Sequence, residues 1–98
     1  MSLNLFMKGT NPDTGEIENI NLYQTPTEIT KELLNSGNQE SILNAYLEWV
    51  RDNFFDTSHI DSRTRNPYLY NEITIINNEF EEYEERLRSY ENIKFSMG

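Results

Sequence analysis

The last third of the chain carries its longest regular pattern of hydrophobic residues. Apolar side chains recur there at alternating spacings of four and three residues. They are Leu69, Ile73, Ile76, Phe80, Tyr83, Leu87 and Tyr90. Because an α-helix turns once in about 3.6 residues, these positions share one face. Asn66 and Pro67 precede the pattern as a capping residue and a first-turn proline. The pattern predicts a long amphipathic helix over residues 67–91.

The beginning of this helix has a second interpretation. Residues 68–76 are rich in aromatic and β-branched side chains, which favour strands, so a strand is the alternative there. Ile75 lies off the apolar face and is either packed against a second element or exposed at a contact. The spacing as a whole is typical of a core helix or of a dimerising coiled coil. Aromatic residues occupy three of the seven positions, whereas a dimer favours isoleucine and leucine, so we prefer the core helix.

Alternation with a period of two predicts strands at both ends of the chain. Leu3, Leu5 and Met7 form the first alternating run, and residues 16–23 form the second. Between them, residues 11–15 read Asn-Pro-Asp-Thr-Gly, which is typical of a tight turn. We therefore predict a β-hairpin over residues 3–23. The same period returns in residues 93–97 and predicts a short strand that could pair with the hairpin.

Two shorter helices are predicted between the hairpin and the long helix. Residues 25–28 read Thr-Pro-Thr-Glu, the sequence of a capping box, and predict a helix over about 26–36 that Gly37 ends. Asn38 is the expected cap of the next helix, over about 39–55. One face of that helix is apolar, and Trp49 lies at its edge, as a core residue or as an anchor for a partner. The chain is thus predicted to be one small α+β domain over residues 1–98.

The charge of the chain narrows the classes of partner. Seventeen acidic and eight basic residues give a net charge of −9, which argues against direct binding of nucleic acid or anionic membranes. No run of about 18 apolar residues could span a membrane, and no secretion signal is evident, so we expect a cytoplasmic protein. Five glutamates of the predicted long helix lie within residues 79–85, and we call them the acidic segment. They are Glu79, Glu81, Glu82, Glu84 and Glu85.

One stretch, residues 56–65, has no periodicity and contains the single histidine, His59, with Arg63 and Arg65. Two arginines in a loop are candidates for binding a phosphate or carboxylate. One histidine and two nearby aspartates are too few for a zinc site, and the chain has no cysteine or second histidine for a catalytic triad. The sequence therefore predicts no metal, no cofactor and no catalytic residue.

These observations favour a small, acidic, non-enzymatic interaction protein. Its acidic segment would bind a basic protein partner, with Trp49 and Ile75 as further contact residues. In size and acidity the chain is similar to small accessory proteins of phages and mobile elements, a resemblance of composition and not of motif. One alternative is a structural homo-oligomer, such as a homodimer, assembled through the long helix or a sheet edge. The other is a small ligand-binding domain or enzyme that uses the 56–65 loop, with His59, Arg63 and Arg65.

Overall fold

A three-stranded antiparallel sheet brings the two ends of the chain together in the computed structural model. The structure describes residues 4–56 and 67–97, and for residues 67–71 it describes the backbone alone. The elements in chain order are β1 (Leu5–Thr10), β2 (Ile17–Ile20), α1 (Thr27–Leu34), α2 (Gln39–Phe54), α3 (Pro67–Ser89) and β3 (Glu91–Met97). The α+β prediction is confirmed, and so is the C-terminal strand.

The sheet has the order β2-β1-β3, so the first strand of the hairpin lies in the centre. Met7 faces Ile20 on one side and Phe95 on the other, and all three side chains are buried. The predicted turn is also present. Gly15 adopts a φ of 73°, and the Asp13 amide donates to the Asn11 side-chain oxygen over 2.9 Å. This turn fixes the register that places the apolar side chains on one face.

The helices cover only one face of the sheet. Along β1, Leu5 and Met7 are buried, whereas Phe6 and Lys8 between them are exposed. The buried residues of sheet and helices form one cluster. They are Leu5, Met7, Ile20, Leu33, Ile42, Leu43, Tyr46, Leu47, Val50, Leu87 and Phe95. Most of the helical members belong to α2, which is therefore the central helix of the core.

The predicted helix starts have different outcomes. Asn38 caps α2 as expected, because its side-chain oxygen accepts the Ser41 amide over 2.8 Å. The capping box of α1 is wrong. Pro26 occupies the cap position and no side chain caps the helix. The Thr25 hydroxyl is instead buried and hydrogen-bonded to the hydroxyl of Thr30, so it is not available to the first turn.

The long helix forms as a helix throughout, which makes the strand alternative for residues 68–76 wrong. It ends at Ser89, two residues earlier than residue 91. The Ser89 hydroxyl donates to the Arg86 carbonyl over 2.6 Å at this end, and Asn92 then adopts a φ of 52°. Asn92 lies where the pairing of β1 with β3 is irregular, and Ile93 and Phe95 beyond it pack in or against the core. None of the helices in the described part of the chain is long and apolar enough to cross a membrane.

Gly9 marks the closest approach between the sheet and the end of α3. A Cβ atom at this position would lie 2.8 Å from Tyr90 Cβ and 3.3 Å from Ile93 Cγ2. The backbone fixes the position of a Cβ atom, so an alanine could not avoid these contacts by rotating its side chain. We therefore expect Gly9→Ala to lower the free energy of unfolding by about 1–3 kcal/mol. Denaturant unfolding measures this change, with Asn19→Ala on the exposed side of β2 as the control. A change below about 0.5 kcal/mol, as at ordinary surface positions, would contradict the prediction.

Candidate functional site

Six aromatic side chains of the described residues meet where the end of α2 approaches α3. They are Tyr23, Trp49, Phe54, Phe55, Phe80 and Tyr83. Tyr23, which follows β2, stacks on Phe54 with ring centroids 4.4 Å apart and meets Tyr83 edge-on at 5.4 Å. Such ring pairs contribute about 0.5–1.5 kcal/mol each beyond their buried area. The cluster therefore fixes three separate segments of the chain against one another.

The two phenylalanines at the end of α2 do not follow the helical periodicity of the residues before them. Phe54 continues the apolar face of α2 in the sequence, but its side chain is 50% exposed. Phe55 lies just beyond the helix, with φ −125° and ψ 24°, and this backbone turn directs its ring inwards. Its ring contacts Phe80 at 5.5 Å and Tyr83 at 6.4 Å. Helical spacing could not predict Phe55, because the residue is not helical.

A hydroxyl group at the centre of the fold holds this cluster in place. Tyr46 of α2 is fully buried, and its hydroxyl oxygen accepts the Tyr23 amide over 2.7 Å. The same hydroxyl is hydrogen-bonded to that of Tyr83 over 2.8 Å. Burial, and then the Tyr83 hydrogen bond, raise the pKa of Tyr46 far above its usual value. Burial also raises the pKa of Tyr83. Both side chains are therefore neutral phenols at physiological pH.

A cleft of about 350 Å³ opens beside this cluster, and we call it the aromatic cleft. It is lined by Tyr23, Phe55, Glu79, Glu82, Tyr83 and Arg86. The three rings are half-buried, whereas the three charged side chains are exposed. None of these charged groups forms an ion pair within 4 Å in the described part of the chain. The cleft thus combines neutral aromatic walls with a charged rim.

The acidic segment does not form a single face on α3. Each residue advances about 100° around a helix, so Glu79 and Glu82 point to the side of the cleft. Glu81 and Glu85, four residues apart, are exposed on another side and do not line the cleft. Glu84 is half-buried and pairs with Arg88 over 3.8 Å. Two of the five candidate glutamates are therefore joined to the aromatic cluster.

The other candidates lie elsewhere or outside the described residues. Trp49 is half-buried, packs against the core and meets the Phe54 ring edge-on at 5.6 Å, but it does not line the cleft. Ile75 is 56% exposed, one helical turn before Glu79. The loop candidates His59, Arg63 and Arg65 lie outside the described residues, so the structure does not place them.

Four residues that line the cleft are not among the site residues predicted from the sequence: Tyr23, Phe55, Tyr83 and Arg86. Arg86 carries a usable signal, because it follows Glu79 by seven residues and Glu82 by four, which places all three on one helix face. Tyr83 is recognisable in the sequence only as one of the seven apolar residues that predict the long helix. Tyr23 reaches the site through a contact with a residue 23 positions away, which no local pattern contains.

Two of the basic residues in the described part of the chain lie on the sheet, away from the arginines of α3. Lys8 and Lys94 face each other as cross-strand partners on the exposed side of the sheet. Neither lysine forms an ion pair with an acidic side chain among residues 4–56 and 72–97. Like charges in this arrangement repel each other. The lysines of the sheet therefore do not neutralise the acidic segment, in which Glu84 alone has an ion-pair partner among the described residues.

Comparisons with protein-family models, with curated proteins and with solved structures give no match to this chain. Within the described residues, no group of three histidine, aspartate or glutamate side chains is arranged to hold a metal ion. The geometry of the acidic segment and the aromatic cleft is therefore the basis on which we infer a function.

Loss of the Tyr46 hydroxyl should weaken the whole site. Tyr46→Phe leaves the Tyr23 amide and the Tyr83 hydroxyl without this partner, and we expect it to lower the free energy of unfolding by about 1–3 kcal/mol. Denaturant unfolding measures the loss. Tyr90→Phe is the matched control, because its half-buried hydroxyl bonds only to Glu18 among the described residues. Equal losses in both variants would contradict a special role for Tyr46.

The same variant should have a distinctive pH dependence. An unfolded tyrosine titrates near pH 10.0, whereas the pKa values of Tyr46 and Tyr83 are raised in the fold. The contribution of these two tyrosines to the free energy of unfolding is therefore complete below pH 10.0. It falls as the pH rises above this value, because the unfolded chain releases the two protons more readily than the folded chain does. For Tyr46 the decline approaches about 1.4 kcal/mol per pH unit, and the raised pKa of Tyr83 adds to it. Tyr46→Phe should make it shallower, and an unchanged slope would contradict the assignment.

Proposed function

We propose that this protein is a cytoplasmic, non-enzymatic interaction protein that binds a basic surface of another protein through the acidic segment. The observation that carries the proposal is the exposure of Glu79, Glu81, Glu82 and Glu85 without an ion-pair partner among the described residues. Unpaired carboxylates on one rigid helix create a local negative potential that steers and orients a positively charged partner.

The arrangement of these carboxylates favours one kind of partner over another. It favours a protein with a compact basic patch over a DNA-binding protein that would accept α3 in place of DNA. The glutamates are spread around α3 and do not follow a single row, so they match the phosphates of DNA poorly. Their side chains also stand on a helix that Leu87 and Tyr83 fix to the core. A partner would therefore meet a preformed surface, and little ordering would be needed on binding.

Neutralising the acidic segment should weaken binding to a basic probe. We would titrate a fluorescein-labelled peptide of alternating arginine and serine and measure fluorescence anisotropy. Since exposed charge pairs contribute about 0.2–1 kcal/mol each, changing Glu79, Glu81, Glu82 and Glu85 to Gln should weaken binding roughly tenfold. Raising the salt concentration from about 0.05 to about 0.3 M should weaken binding to the unaltered protein.

The matched control changes net charge equally at another place. Four exposed glutamates on α1 and α2 serve this purpose: Glu28, Glu32, Glu40 and Glu48. Their replacement by Gln should reduce affinity much less than the changes on α3. Equal losses would show that only net charge matters, and an affinity that salt does not alter would reject the acidic segment as the binding surface.

A homo-oligomer is the second candidate, favoured by the first part of α3. Ile75 is 56% exposed, whereas the described residues of α3 that pack against the core begin at Phe80. Together with the half-buried Ile73 and Ile76, Ile75 forms a group of three isoleucines outside the described core, and such an apolar group is typical of an interaction surface. The β3 sheet edge is a weaker candidate, because the Gln39 side chain already accepts the outward Phe95 amide over 2.6 Å.

The oligomer hypothesis predicts that Ile75→Glu lowers the mass in solution. Light scattering over a range of concentrations would detect a dimer of the 11.6 kDa chain, and the variant should return it to a monomer. Ile17→Glu distinguishes the two possible interfaces, because Ile17 is 76% exposed on the edge strand β2 and its replacement should dissociate a dimer formed through that edge but not one formed through α3. A monomer mass at every concentration would reject the oligomer and leave the acidic segment as the candidate interface.

A further inference from the structure

We propose that the aromatic cleft receives one cationic side chain, a lysine or an arginine, from the basic partner. This inference rests on the proposed function and adds a defined contact to it. The volume of about 350 Å³ lies at the lower end of the range of about 300–1,000 Å³ that is usual for ligand sites. A single side chain is therefore a suitable occupant.

The walls of the cleft have the chemistry that attracts an organic cation. Tyr23, Phe55 and Tyr83 contact one another with centroid separations of 5.4, 6.0 and 6.4 Å. The Tyr23 ring is tilted by 66° against that of Tyr83 and by 86° against that of Phe55, and all three residues line the cleft. The faces of aromatic rings attract ammonium and guanidinium groups electrostatically.

The charges on the rim fit one cation. Glu79 and Glu82 supply two negative charges and Arg86 one positive charge, so the lining carries a net charge of −1. One lysine or arginine side chain would neutralise the lining, and a second cation would meet Arg86. The alkyl stem of such a side chain can also pack on the rings while its charged end reaches the carboxylates.

The rings are held in position before any ligand arrives. The Tyr46 hydroxyl bonds both to the Tyr23 amide and to the Tyr83 hydroxyl, which restricts two of the three ring-bearing residues. The Phe55 ring is held by contacts with Tyr23, Phe80 and Tyr83. Preformed sites bind more tightly because less conformational freedom is lost on association. The fixed position of the rings distinguishes the cleft from an open surface that carries only flexible glutamates.

Two pairs of isosteric changes on α3 test the proposal. The arginine–serine peptide is titrated against Glu79→Gln/Glu82→Gln, which alters the cleft, and against Glu81→Gln/Glu85→Gln, which alters the same helix outside it. Both double variants change the net charge by the same amount. We expect the first to weaken binding at least about fivefold more than the second, because only the first removes carboxylates beside the rings.

A change of opposite sign gives a second test. Arg86→Gln removes a positive charge from the rim and should tighten binding of the arginine–serine peptide about twofold to fivefold. Arg88→Gln makes the same chemical change beside Glu84, away from the cleft, and should have a smaller effect. Equal tightening in both variants would count against a cation in the cleft.

A direct readout needs no altered protein. N-acetyl-arginine methylamide and N-acetyl-lysine methylamide are added separately, with the uncharged citrulline derivative as the control. Ring resonances of Tyr23, Phe55 and Tyr83 should shift with the charged probes, whereas the Trp49 ring, which does not line the cleft, should not. The two charged probes distinguish guanidinium from ammonium. Shifts with citrulline of equal size would overturn the proposal.

The outcomes separate this proposal from the one on which it rests. Equal weakening in both glutamate pairs rejects the cleft but leaves the acidic segment as a binding surface. No weakening in either pair, together with no dependence on salt, rejects both. If Arg63→Gln with Arg65→Gln shifts the ring resonances before a probe is added, an arginine of the chain itself is the occupant, and the proposal fails.

Discussion

The buried hydroxyl of Tyr46 is the interaction on which the arrangement of this fold most depends. A phenol that is removed from water must find partners, or the fold loses the free energy of its hydration. Tyr46 finds the Tyr23 amide on one side and the Tyr83 hydroxyl on the other, so the segment after β2, the central helix α2 and the long helix α3 meet at one atom. The three rings of the aromatic cleft lie around this point. The same contacts that stabilise the core therefore also determine the shape of the candidate site.

Local chemistry in the sequence predicts much of the fold, and long-range contacts explain the rest. The turn at Gly15, the cap at Asn38 and the periods of two and 3.6 depend on neighbouring residues, and each has the predicted structure. The prediction fails where a side chain has a distant or competing partner. Thr25 bonds to Thr30 and does not cap α1, and α3 ends at Ser89, with only Tyr90 before the chain enters β3 at Glu91. The acidic part of the site was visible as a cluster of glutamates, but its aromatic part depends on chain segments that only the tertiary fold brings together.

The proposal that the acidic segment binds a partner depends on where its charges lie and not only on the net charge of the chain. Solubility would be served by exposed glutamates anywhere on the surface. On α3, however, Glu79 and Glu82 share a cleft with three aromatic rings, and the unpaired Lys8 and Lys94 lie on the exposed side of the sheet. Arg86 lies beside these two glutamates, so the lining of the cleft keeps a net charge of −1 and is not screened by the lysines of the sheet. A local excess of one charge orients a charged partner as it approaches, which a uniform distribution of the same charges would not do.

The two parts of α3 differ in a way that connects the two candidate functions. Its second part is fixed by Tyr83 and Leu87, but its first part contains the β-branched run Ile73, Thr74, Ile75 and Ile76, which has low helix propensity. Helices in proteins owe most of their stability to tertiary packing of an apolar face, and the described core does not extend to this run. A surface that covers Ile75 would therefore stabilise the helix, whether it comes from a second copy or from a basic partner that also reaches the acidic segment. The acidic segment lies on the part of α3 that is already packed, so a partner that also covers Ile75 would bury an apolar side chain in addition to pairing with the glutamates.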